Sequence, residues 1–147
     1  MQNENQQEME RSIRAFVDRV KTEHPGTMCA LTKPGFVECD AQEQTLILSY
    51  PAQSWEANTR GRMQGGVIAS LLDFTGGCLA MYCSGAMVLT VSLQTSYLRP
   101  GPTEGKVLVK ARMTKTGRTM LHVYAECWSE DAPGKLIATG NMVYIRG

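Results

Sequence analysis

From Met63 to Leu98 the chain carries a single charged side chain, Asp73. The stretch MQGGVIASLLDFTGGCLAMY, residues 63–82, is apolar enough for a buried helix or a membrane span, and it holds that carboxylate at its centre. An unpaired carboxylate removed from water is costly, so such groups are hydrogen-bonded, neutralised or set beside a water-accessible cleft. Any fold of this chain must therefore enclose an apolar helix and still give Asp73 a partner or an opening.

The hydropathy pattern around that stretch supplies the wrapping. Residues 8–22, EMERSIRAFVDRVKT, put Met9, Ile13, Phe16, Val17 and Val20 on one side of a helix and charges on the other, within an N-terminal helical region spanning 1–24. GFVECDA and TLILSYP read as short strands, and QSWEANTRGRMQGG reads as a loop. The central helix is expected over 63–84, with Val67, Ile68, Leu71, Leu72 and Leu79 along one flank. Gly76 and Gly77 each weaken it by about 1 kcal/mol relative to Ala, which implies close packing against another backbone. From Met87 the period changes to two. MVLTVSLQTSYL sets Leu89, Val91, Leu93 and Tyr97 against Thr90, Ser92, Gln94 and Ser96, and GKVLVKARM, TMLHVYAECWS and KLIATGNMVYI repeat the alternation. Four such runs predict an antiparallel meander, and the whole predicts an α+β domain over 1–147 with a helix wrapped by one curved sheet.

Composition removes several classes of function. With 15 basic against 14 acidic residues there is no electrostatic footprint for nucleic acid or an anionic membrane surface. Five scattered cysteines and two histidines offer neither a zinc-site spacing nor a disulfide framework, so free thiols in a reducing cytoplasm are expected, with no metal and no cofactor. The start, MQNENQQEMERS, lacks the basic and apolar segments of a secretory signal. Asp73 at mid-span and the polar TVSLQTSY beyond argue against a membrane span, and a soluble cytoplasmic protein is expected.

The residues before the apolar run carry the chemistry. In QGGV a Gly-Gly pair opens the helix, exposing backbone N–H groups at the positive end of its dipole. Such a terminus can hold the oxyanion of an attacked carbonyl, a contribution of about 100- to 1,000-fold in rate per donor. Asp73 lies eight residues beyond Gly65, about 12 Å along one helix at 1.5 Å per residue, too far for both to touch one carbonyl. If the two cooperate, a second copy must run antiparallel so that each site pairs one chain's Gly65 with the other's Asp73.

NTRGRMQGGVIASLLDFTGGCLAM, followed by LTVSLQTSYLRPG and the turn KTGRT, closely resembles the hotdog-fold acyl-CoA thioesterases of the PaaI-like branch, over roughly residues 45 to 146. The resemblance implies hydrolysis of an acyl- or aryl-CoA, with the Gly65 N–H polarising the carbonyl and Asp73 of the partner acting as nucleophile or general base. It implies that Asn58 orients the acid or the water, that Thr90 helps hold that water, and that the chains form homodimers and homotetramers. The family's usual His is Gln64 here, which can donate a hydrogen bond but cannot carry a proton at neutral pH. Beside Gly66, the acyl tail is expected along Leu72, Phe74 and Leu89, and the CoA phosphates on Arg99, Lys115 and Arg118. The absent His keeps a second reading open, an acyl-CoA binding or sensing protein without turnover. A dehydratase would want a catalytic His paired with an acid, and His24 and His122 lie outside the motif.

Overall fold

The computed structural model describes residues 1–147. The order is α1 (Gln2–Glu23), α2 (Met28–Leu31), β1 (Gly35–Asp40), β2 (Thr45–Pro51), a 3-10 turn at Ser54–Glu56, α3 (Gly65–Ser84), β3 (Val88–Tyr97), β4 (Lys106–Thr116), β5 (Met120–Ser129) and β6 (Leu136–Arg146). All six strands form one antiparallel sheet in the order β1-β2-β4-β5-β6-β3. Across its concave face lies α3, touching β2 to β6, while α1 packs on β1 and the flank of α3. This is the wrapped helix that the pattern predicts and the hotdog arrangement that the resemblance implies, with the additional N-terminal helix.

The core forms where the apolar faces meet. Leu71, Leu72, Leu79 and Ala80 of α3 are fully buried against Leu46, Leu48, Val107, Val109, Ala125 and Ala138 of the strands. This helix is long and apolar enough to cross a bilayer, but the sheet occupies its apolar faces. On α1, Met9, Ile13, Val17 and Val20 are buried as the spacing predicts. The polar residues before them are helical too, because Gln6 pairs with the end of β1: its Nε2 donates to Cys39 O at 2.7 Å and its Oε1 accepts from Ala41 N at 2.8 Å. Arg14 lies 4.2 Å over the Phe36 ring, a cation–π contact on the same strand.

Three features depart from the sequence reading. The last four strands are not a meander: β4, β5 and β6 are, but β3 pairs with β6 and stands at the sheet edge. Its connection to β4, RPGPTEG, is too long and proline-rich for a hairpin, and Leu98 and Arg99 donate to Ile137 O instead. Second, α2 went unforeseen; its Thr27 N-cap accepts from Ala30 N at 3.4 Å. Third, the register of β3 slips between Thr90 and Ser92, leaving Val91 as a bulge. Thr90 and Tyr97 would point to opposite faces of a regular strand, yet both bond to α3. The bulge reverses the alternation, so Thr90 faces the helix and Leu89 and Val91 face out, 65% and 50% exposed.

Candidate active site

Asp73 sits midway along α3, half-buried, in a cleft of about 230 Å³ bounded by α2, α3, β3 and β6. Two hydroxyls converge on it. Thr90 Oγ1 donates to Asp73 Oδ1 at 2.9 Å. Tyr144 OH lies 3.2 Å from the same oxygen and 2.9 Å from the Asp73 main-chain carbonyl, to both of which it can only donate. Burial and the neighbouring Asp73 charge push the Tyr144 phenol far above its ordinary value, so it stays a neutral donor. Both hydroxyls engage Oδ1, and Oδ2 has no hydrogen-bond partner within the chain. The other wall is apolar, from Met28, Phe74, Met81 and Val88, with Phe74 stacked on Phe16 of α1 at 6.3 Å between ring centroids.

Cys29 and Cys78 also line this cleft. Burial raises both thiols, the Asp73 charge adding to it for Cys29 and Cys29 itself for Cys78. Neither thiol forms a thiolate readily at neutral pH.

Tyr144 was not singled out from the sequence, where it reads as one more inward strand residue. The signal was Gly76. A Cβ there would lie 2.6 Å from Tyr144 OH and 2.7 Å from Met142 Cε, whereas one at Gly77 would be 3.7 Å from Tyr144 Cε1. The close approach that the glycine pair implies is therefore to side chains, not to another backbone, and it belongs to Gly76.

The other end of α3 holds the remaining motif residues. Gln64 is the N-cap, exposed, and its carbonyl accepts from Val67 and Ile68, leaving the Gly65 and Gly66 amides outside the helix's own ladder. Tyr97 OH donates to Gly65 O at 2.6 Å, and its ring would lie 3.2 Å from a Cβ at Gly65, so glycine suits this position. Asn58 is at this same end: its Oδ1 accepts from Arg60 N at 2.9 Å and Arg62 N at 3.1 Å, bracing the turn before the helix.

Within one chain, then, Asp73, Thr90 and Phe74 come together, and Asn58, Gln64, Gly65, Gly66 and Arg99 come together, along different stretches of α3. Of the three tail positions, Phe74 alone lines the Asp73 cleft. Leu72 is fully buried in the core toward Gly140, and Leu89 is exposed on the edge strand outside the Asp73 cleft. Lys115 and Arg118 are exposed near the β4–β5 turn, which the Arg146 guanidinium ties to Ser84 at the C-terminal end of α3, far from Arg99.

A six-stranded antiparallel sheet curled around one long helix defines a hotdog-fold protein, here with a carboxylate held by hydroxyls at mid-helix and free amides at the helix start. The chain belongs to the thioesterase superfamily, whose family pattern matches residues 60–134, and its class of reaction is thioester hydrolysis. Among curated proteins it is similar to acyl-coenzyme A thioesterase 13 of Mus musculus, 27% identical over 126 residues that cover 84% of this chain and 87% of that one. A phenylacetic acid degradation-related protein of Ralstonia eutropha JMP134 superposes with a TM-score of 0.74 at 25% identity, covering 88% of this chain and 98% of that one. Thioesterase superfamily member 2 of zebrafish shares the fold, with a TM-score of 0.80 at 22% identity over 93% and 97% of the two chains. The resemblance to PaaI-like hotdog thioesterases is upheld by these matches.

Proposed function

We propose that the chain hydrolyses the thioester of an acyl- or aryl-CoA to the free acid and CoA, with Asp73 as nucleophile or general base and the Gly65 N–H as oxyanion donor. The observation that carries the reading is the Asp73 carboxylate clamped through Oδ1 by Thr90 and Tyr144 in a mainly apolar cleft. A carboxylate so oriented either attacks the carbonyl, expelling thiolate and leaving an anhydride for water to open, or takes a proton from water as that water attacks. In both, charge gathers on the carbonyl oxygen, where the free amides at the start of α3 offset it.

The site is completed by a second copy. Asp73 and Gly65 of one chain are about 12 Å apart along α3 by helical rise, and the strand beside them, β3, is a sheet edge that carries exposed Leu89 and Val91, with exposed Leu98 just beyond it. An edge of that kind pairs readily with another strand. Antiparallel pairing of two β3 strands sets one chain's Gly65 near the other's Asp73 and covers the exposed Thr90, and a dimer of such dimers would form the tetramer. A polarising amide suffices in place of an acid because thiolate leaves readily, so Gln64 is compatible with turnover and Asn58 serves by holding the turn that presents Gly65.

The test is free-thiol release from a panel of acyl- and aryl-CoAs by the native protein and by Asp73→Asn. Saturable release that disappears in the variant supports the reading, and tight binding without release by the native protein refutes it. Mixing Asp73→Asn with Gly65→Val chains tests the shared site, since heterodimers would restore one intact site, about a quarter of native activity for random pairing. Unrestored activity in demonstrated heterodimers rules out the sharing.

A further inference from the structure

The Asp73 cleft ends against a second concave surface. One stripe of α3 lines the cleft, from Ser70 through Asp73 and Gly77 to Met81, and the residues it contributes beyond Asp73 carry no charge. Past Met81, between α1 and the last turn of α3, lies a groove of about 560 Å³ whose walls include Ser12, Tyr82 and Cys83. Met81 is the one side chain that lines both spaces, and it is half-buried between them. The wall beside it is rigid, because Phe74 is stacked on Phe16 of α1. A methionine is not: its three rotatable bonds and soft thioether make it a movable partition.

Two measures agree on how much chain the cleft takes before that partition. Asp73 and Met81 are eight residues apart on α3, about 12 Å by helical rise. An extended chain advances about 1.2 Å per bond, a third of the roughly 3.6 Å that one residue spans at most, so an acyl chain whose carbonyl lies at Asp73 meets Met81 after about ten carbons. By volume, a cavity of about 150 Å³ holds the ring of benzene. Scaled in that ratio, the 230 Å³ of the cleft holds about nine carbons.

We propose that Met81 sets the acyl-length limit of this enzyme: chains of up to about ten carbons, or an aryl group of like size, fit between Asp73 and Met81, and longer chains are disfavoured unless that side chain swings aside and opens the groove toward Ser12. The proposal rests on the thioesterase reading above and adds the size class of the substrate. Each further methylene buried in the cleft should raise kcat/KM about fourfold until the chain reaches Met81, where the gain stops.

The test is kcat/KM for saturated acyl-CoAs from hexanoyl to hexadecanoyl in the native protein, in Met81→Ala, in Met81→Leu, and in Met81→Ala combined with Ser12→Trp. The native profile is expected to peak near decanoyl-CoA and to fall beyond it. Met81→Ala joins the two spaces, so its ratio of tetradecanoyl to octanoyl kcat/KM should rise about tenfold or more, whereas Met81→Leu, a swap of similar volume, keeps the native peak. Ser12→Trp fills the groove from outside the cleft and should cancel the gain in the Met81→Ala background, which a general loosening of the protein would not allow. A native profile with no fall beyond decanoyl-CoA, a ratio unchanged by Met81→Ala, or a gain that survives Ser12→Trp overturns the proposal. Calorimetric binding of the free carboxylates of the same lengths, below their micellar concentrations, needs no turnover and separates the two readings. Affinity that peaks at the same length and shifts to longer chains in Met81→Ala supports Met81 as the limit even if no thioester is hydrolysed. Affinity that climbs through hexadecanoate in the native protein overturns it.

Discussion

Gly76 and Gly77 are neighbours in sequence, and the structure gives opposite consequences to adding a methyl group at each. In an exposed helix either change to Ala stabilises by about 1 kcal/mol. At Gly77 the nearest atom to the new Cβ is Tyr144 Cε1 at 3.7 Å, an ordinary contact, so that gain is kept. At Gly76 the methyl meets Tyr144 OH at 2.6 Å and Met142 Cε at 2.7 Å. The methionine end can move, but Tyr144 is fully buried and its hydroxyl is bonded to Asp73. Overpacking costs about 1–3 kcal/mol, and a lost hydrogen bond to a charged partner costs about 1.5–3 kcal/mol. Set against the propensity gain, Gly76→Ala should destabilise by about 3 kcal/mol, a fall in Tm of about 9 °C for a chain of this size. Gly77→Ala should raise Tm by about 3 °C on the same scale, both measured at one protein concentration because association shifts Tm. Freed from Tyr144, Asp73 loses alignment, and kcat of Gly76→Ala should drop about 10- to 100-fold. Tyr144→Phe removes the atom the methyl strikes, so Gly76→Ala should cost far less stability in that background, a coupling a double-mutant cycle measures directly. If Gly76→Ala matches Gly77→Ala in Tm, or keeps full kcat, or costs the same in the Tyr144→Phe background as in the native one, the placement of the tyrosine hydroxyl is wrong.

Thr90→Val and Tyr144→Phe each remove one donor from Asp73 Oδ1; each should lower kcat about tenfold with little change in KM, with the double variant worse than either, read by steady-state kinetics. Leu72→Ala should cost about 2–5 kcal/mol in denaturant unfolding and leave acyl-chain preference alone, because Leu72 is core rather than cleft. Glu56 is a buried carboxyl whose Oε1 accepts from Gln53 N while its Oε2 has no partner, and burial raises it above the ordinary carboxylate range. With a folded-state value above the unfolded one, its contribution favours the folded state at acid pH and is lost as pH rises through the raised value. Glu56→Gln should therefore stabilise the protein at neutral pH and flatten its stability between mildly acidic and neutral pH, as urea midpoints across that range would report.

Much of the architecture is legible from hydropathy alone. Strand-like runs set β1 and β2, and period-two runs with turn residues between them set β4, β5 and β6, all close to their observed bounds, and the apolar run set α3. These elements are local: each is decided by which of its own residues must face away from water. The site is half legible in the same way. A carboxylate alone in an apolar helix, eight residues from a Gly-Gly start, already calls for a hydrogen-bond partner or an opening and, if the two ends cooperate, for a second copy.

Relations between segments far apart in the chain arise only from packing in three dimensions. That β3 leaves the meander to pair with β6, that a bulge at Val91 turns Thr90 toward Asp73, and that Tyr144, 71 residues on, supplies the second hydroxyl are outcomes of register and packing. None of them has a local signature, because a one-residue slip in a strand exchanges its two faces without altering its composition. The same holds for Met81: in sequence it is one more residue of the apolar run, and it divides a cleft from a groove because α1 packs beside the end of α3. The order of residues is enough to require that an apolar helix be wrapped and its one carboxylate provided for. Which side chains do so was set by the fold, since those contacts exist solely where distant backbone is brought together.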